Sequence, residues 1–137
     1  MAMDNYEGVI IEESLEDREV LKKVKIVSTK VEVATERHET PWLNFWTLLC
    51  VEIPDSEADM IAEILSKSLE RGHAWYADFK NGTRHYVIFR EKIFKIDRKS
   101  AKQYQEARRY GLSLGIPGHQ VDFTEALKKK KQSGKPL

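Results

Sequence analysis

The sequence predicts an α+β fold: an antiparallel sheet of five or six strands with two main helices packed mostly on one face, a ferredoxin-like core being one candidate topology. Three observations lead there. Short apolar stretches recur in the manner of strands, two longer stretches repeat at helical spacing behind capping residues, and an Asn81-Gly82 pair sits between two aromatic-rich segments. A chain of 137 residues, 41% hydrophobic and 33% charged, suits one core. Residues 1–124 therefore read as a single domain, and the lysine-rich residues 125–137 as a mobile basic tail.

The segment GVIIEE (8–13) reads as the first strand, and SLEDREVLKK (14–23) as a short helix with Ser14 at its cap and acidic groups in its first turn. In VKIVSTKVEVA (24–34) the apolar positions change parity, from Val24 and Ile26 to Val27, Val31 and Val33. A bulge near Val27 and Ser28 reconciles them, because one extra residue reverses the face that each later side chain meets. After the polar loop ATERHETP, residues 45–51 are apolar at both parities, which suggests a central strand covered on both sides. Cys50 lies within it and reads as a small core residue.

Pro54 ends that strand. Ser56 and Asp59 offer a capping box to a helix whose stripe is Ala58, Ile61, Leu65 and Leu69, with Gly72 as its stop. A second helix starts at Ser100, paired with Gln103 as a capping box, and carries Ala101, Tyr104 and Ala107 along one side. The glycines and proline of GLSLGIPGHQ then force a turn.

Between the helices, Asn81-Gly82 is the signature of a type I′ hairpin, since both residues tolerate positive φ. Counting outward from that corner pairs Asp78 with His85. For the next connection, Arg90-Glu91-Lys92, a three-residue loop is expected. It places Tyr76, Asp78, Lys80, His85, Lys95 and Asp97 on one face and the aromatic core residues on the other, and segregation of polar from apolar is the usual guide to register.

In that register His85 lies between Asp78 and Asp97 on an open sheet face. Carboxylates can orient an imidazole and make it a general base, so these three are the candidate catalytic residues, with Tyr76, Lys80 and Lys95 as candidate ligand-binding groups. The plainer reading is a cross-strand ion pair. No nucleophile or oxyanion loop accompanies the histidine. His38, His73, His85 and His119 are widely spaced, no paired-cysteine, HExxH or phosphate-loop motif occurs, and no metal or cofactor is expected.

Charge is sorted along the chain, with a balance of −9 over residues 1–70 and +10 over residues 71–137. Such asymmetry suits either mutual neutralisation or an anionic partner. Single-stranded nucleic acid is a weaker candidate partner, because aromatic and basic residues interleave over residues 71–109 but no RNP-like or KH-like signature is present; the Lys128 to Lys131 run is a further candidate contact. No apolar run is long enough to cross a bilayer, and with no hydrophobic signal core the default compartment is the cytosol.

The run HAWYADFKNGTRHYVIF, followed by FKIDR and YGLSLGIPGHQVDF, resembles an uncharacterised family of small prokaryotic hypothetical proteins over roughly the last two thirds of the chain. The resemblance implies that the second half is one folded unit and assigns no activity, ligand or catalytic residue. The function expected is a non-catalytic binding or regulatory module, a homodimer through an uncovered sheet face or edge strand, with an anionic small molecule or partner as ligand. A small enzyme based on the His85 and Asp78 pair is the alternative.

Overall fold

The computed structural model describes residues 5–123. Six strands, β1 (Tyr6–Ile11), β2 (Lys25–Val33), β3 (Phe45–Ile53), β4 (Tyr76–Lys80), β5 (Arg84–Phe89) and β6 (Lys92–Asp97), form one open antiparallel sheet in the order β2-β3-β1-β4-β5-β6. The first strand lies inside the sheet, antiparallel to both β3 and β4. Strands β3 and β4 consequently run parallel on either side of it, joined by helix α1 (Ala58–Ser68). Helix α2 (Ala101–Ser113) follows the β4-β5-β6 meander. A ferredoxin-like core would return a strand to the sheet after its second helix, and none follows α2 among the described residues.

The helices pack on opposite faces, not on one. Side chains alternate along each strand, so the registers assign Tyr6, Ile10, Leu49, Val51, Ile53, Ala77, Phe79, Tyr86 and Ile88 to the face that buries Ile61, Leu65 and Leu69 of the α1 region. The other face gathers Val87, Phe89 and Ile96 beneath Tyr104 and Ala107 of α2 and beneath Ile116, Val121 and Phe123 of the following segment. That segment turns back through a Schellman motif. Gly115 takes φ 92°, its N–H reaches Leu112 O, and Ile116 N–H reaches Gly111 O. The expected basic tail, Lys128 to Lys131 included, lies outside the described residues.

Several local expectations change for identifiable reasons. Residues 14–23 form no α-helix. The 3₁₀ turns Glu12–Ser14 and Glu19–Lys22 occupy this region, and Ser14 is buried with its hydroxyl donating to Ile11 O at 2.6 Å instead of capping. The chain here bridges to the end of α1, Leu15 opposite Leu69. Ser56 caps nothing, and Asp59 points instead to Tyr86 and Lys95. Ser100 does cap α2, accepting from Gln103 N–H at 3.1 Å, but Gln103 answers to Asp97 N–H at 2.6 Å. The bulge in β2 falls between Ile26 and Ser28 as expected.

Both hairpin registers also differ. Lys80 pairs with His85 and Asp78 with Val87, a slip of two residues, while Phe89 pairs with Lys92 and Ile88 with Ile93, a slip of one. At the first corner Asn81 Oδ1 accepts the N–H groups of Thr83 (3.0 Å) and Arg84 (2.8 Å), so the turn closes without positive φ at either Asn81 or Gly82. At the second, Glu91 takes φ 58° in a two-residue turn. A slip of two keeps every side chain on its face, whereas a slip of one moves Lys95 and Asp97 to the face opposite His85.

Two glycines test this arrangement experimentally, Gly8 the central pairing and Gly82 the first corner. A Cβ at Gly8 would sit 2.2 Å from Asp78 O and 2.5 Å from Phe79 Cβ, inside a central strand that cannot shift. Gly8→Ala should lose about 2 kcal/mol or more of stability in urea unfolding. Gly82 has open space and no positive φ, so Gly82→Ala should leave stability unchanged or raise it by up to about 1 kcal/mol; a type I′ corner would make it costly.

Glu13 supplies a pH-dependent tie. Its carboxylate accepts the N–H (2.6 Å) and hydroxyl (2.7 Å) of Thr47 on β3. Burial pushes its pKa up, but the hydrogen bonds from Thr47 outweigh that and hold it below the usual value. A lowered folded-state pKa adds stability that is complete above the unfolded-state value and lost as pH falls through the folded-state one. Acid titration of unfolding should therefore show stability falling below about pH 4, and less steeply in Glu13→Gln, which keeps an acceptor for Thr47 N–H and cannot titrate.

Candidate functional site

Asp78 and His85 meet despite the changed register, because the slip of two leaves them on one face, diagonal across β4 and β5. His85 Nε2 lies 2.6 Å from Asp78 Oδ2, and His85 Nδ1 lies 3.0 Å from the hydroxyl of Tyr104 on α2. The histidine is 2% exposed, enclosed by Tyr104 and Phe123, whereas the Asp78 side chain is 30% exposed. The exposures are the reverse of those expected: His85 is enclosed, and Asp78 is the group that faces outward.

The hydrogens along this chain can be assigned from its donors. Arg98 can only donate, and it hydrogen-bonds the Tyr104 hydroxyl. Burial pushes the Tyr104 pKa up, against the opposing pull of Arg98, so the phenol keeps its proton. With a neutral imidazole, that proton can be directed at His85 Nδ1 while Nε2–H donates to the carboxylate. Both ring nitrogens of His85 therefore have a partner, which is what burial of an imidazole requires.

The remaining expected residues are dispersed. Asp97 lies on the other face and caps the turn into α2, accepting from Lys99 N–H at 2.9 Å. Lys95 also lies on that face, 3.3 Å from Asp59 and over the Tyr86 ring, whose hydroxyl donates to the same Asp59 oxygen. These hydrogen bonds, Tyr86 first, hold the Asp59 pKa below the usual carboxylate range. Lys80 shares the His85 face but opens onto a neighbouring groove with Glu7 and Glu52. Tyr76 stands beside Asp78, its hydroxyl donating to Gln120 O, and burial pushes its pKa up. Of the aromatic residues that interleave with basic ones over residues 71–109, Trp75, Phe79, Tyr86, Phe89 and Tyr104 are buried, and Tyr76 and Phe94 are half-buried.

Asp78 opens onto a cleft of about 240 Å³ between the sheet face and the returning segment 116–120. Val9, Ile11 and Tyr76 share the floor with Asp78, Ile116 and Gln120 form one wall, and Trp46 and Trp75 close the end. The tryptophans are held in place: Trp46 Nε1–H donates to Thr40 Oγ1 at 2.9 Å, Trp75 Nε1–H donates to Glu70 Oε1 at 3.0 Å, and their rings tilt together at 5.6 Å. Asp78 is the one charged side chain lining this cleft among the described residues. An anion would meet neither Lys80 nor Lys95 there.

Sequence reasoning missed three parts of the site. Tyr104 was recognisable as a packing residue but not as a partner of His85. Trp46 and the wall at Ile116 and Gln120 had no signal beyond apolar character and a turn-rich context. Comparison with protein-family models, curated proteins and solved structures finds no match to the chain, so the site stands on its geometry.

Tyr104→Phe tests the polar row. It leaves His85 Nδ1 buried without its donor, and should cost about 1–3 kcal/mol in chemical unfolding. A neutral effect would show that the contact contributes nothing.

Proposed function

We propose that this protein is a non-catalytic binding module whose ligand occupies the cleft over Asp78: a small, flat, largely apolar molecule bearing a protonated amine or a similar strong donor. The observation that carries this reading is a part-exposed carboxylate, fixed through one oxygen by a buried histidine at 2.6 Å, on the floor of an aromatic-walled cleft. Such a group offers its remaining lone pairs in a set direction, and charge-assisted bonds to it are stronger than neutral ones. Apolar walls with few convergent polar groups are the usual make-up of small-molecule sites. Binding is favoured over acid-base catalysis because both nitrogens of His85 are engaged inside the core and, among the described residues, no Ser, Thr, Cys, Lys or His side chain lines the cleft.

Benzylamine, benzyl alcohol and benzoate share a ring and differ in charge, and titration of each into isotope-labelled protein tests the reading. The amine should shift the indole N–H resonances of Trp46 and Trp75 at the lowest concentration, and benzoate at the highest. Asp78→Asn should weaken the amine about tenfold and leave the alcohol unchanged. Benzoate binding as tightly as the amine would contradict the proposal.

A further inference from the structure

The outer edge of β2 is the surface the fold leaves least accounted for. Among the described residues this nine-residue strand pairs with β3 alone, and eight of its nine residues are exposed. Long edge strands with apolar side chains template further pairing unless something blunts them. The bulge at Ile26 and Ser28 disrupts only the first part, leaving 28–33 regular. Val31 (60% exposed) and Val33 (68%) lie on one face of this part, beside Phe45 (52%).

We infer that β2 pairs with β2 of a second copy of this chain, antiparallel about a two-fold axis through Val31. The register follows from geometry and charge. In an antiparallel ladder, residues directly opposite each other both point their N–H and C=O groups toward the partner or both point them away. Along a regular strand that direction alternates, so a two-fold axis between identical strands must pass through a residue and not between two. An axis through Lys30 sets Lys30 against Lys30, and an axis through Glu32 sets Glu32 against Glu32; both are repulsive. An axis through Thr29 carries the pairing into the bulge. The axis through Val31 sets valine against valine, Thr29 against Val33, and Lys30 of each copy against Glu32 of the other.

The strand is thus self-complementary in charge. Lys30 Nζ and Glu32 Oε2 of one chain already lie 3.5 Å apart on a single face, so the pairing would extend each ion pair into a four-charge cluster. On the opposite face, Val31, Val33 and Phe45 of both copies would form one apolar strip. No residue of β2 lines the Asp78 cleft, although Glu32 pairs with Trp46 at the end of it.

Light scattering after size exclusion, on the full chain at high micromolar concentration, tests the inference. Wild type should have twice the chain mass. Lys30→Glu and Glu32→Lys should each be monomeric with an unchanged circular dichroism spectrum, since each sets like charges opposite. An equimolar mixture of the two should recover the doubled mass, because one variant then presents two carboxylates on this face and the other two ammonium groups, so that both cross-strand pairs join opposite charges. A monomeric wild type, single variants that remain dimeric, or a mixture that stays monomeric would each overturn it.

Discussion

One buried imidazole joins the two layers on one side of this sheet. His85 sits on β5 with a carboxylate from β4 at one nitrogen and a phenol from α2 at the other. Its burial is tolerable only because both nitrogens are satisfied, and that requires α2 and the segment ending at Phe123 to lie where they do. The same arrangement fixes Asp78 at the edge of the covered area, where α2 ends its coverage and the cleft begins.

Position in the sheet explains why the cleft forms there. Helix α2 and its returning segment cover β5 and β6, while among the described residues β1, β3 and β2 have no α-helix above them on that side. The cleft lies at this boundary, with Ile116 and Gln120 on the covered side and Val9 and Ile11 on the open side. Tyr76 ties the two together through its bond to Gln120 O. On the other face, α1 and the 3₁₀ turns near Leu15 and Val20 pack over a continuous core that stops short of Val31, Val33 and Phe45.

Much of the secondary structure was legible. Apolar spacing located the strands, the bulge and both helices, and Ser100 located the start of α2. The registers were not, for two physical reasons. Asn81 closed its turn with a side-chain oxygen, which makes the Asn-Gly signature ambiguous between a backbone-driven and a side-chain-driven corner. Glu91 accepted a left-handed conformation that propensity argues against, at a cost of order 1 kcal/mol, because the resulting register buries Ile96 beneath α2. Segregating polar from apolar residues fails as a guide when both faces of a sheet are covered: Lys95 and Asp97 fall at the rim of one core, while Phe94 and Ile96 enter the other. The Asp78 and His85 contact survived an error in register because two residues is the period of a strand. Its exposure could not be foreseen, since only the return of residues 116–123 decides which of the two is covered.

The tautomer of His85 tests this account most directly. Two-bond nitrogen–proton correlation spectra of the labelled protein distinguish a protonated ring nitrogen from a bare one. The row from Arg98 to Asp78 predicts that Nε2 carries the hydrogen and that Nδ1 is bare and accepts from Tyr104. A hydrogen on Nδ1 with Nε2 bare, or the averaged signals of a ring in contact with solvent, would contradict it and remove the basis for a fixed carboxylate in the cleft.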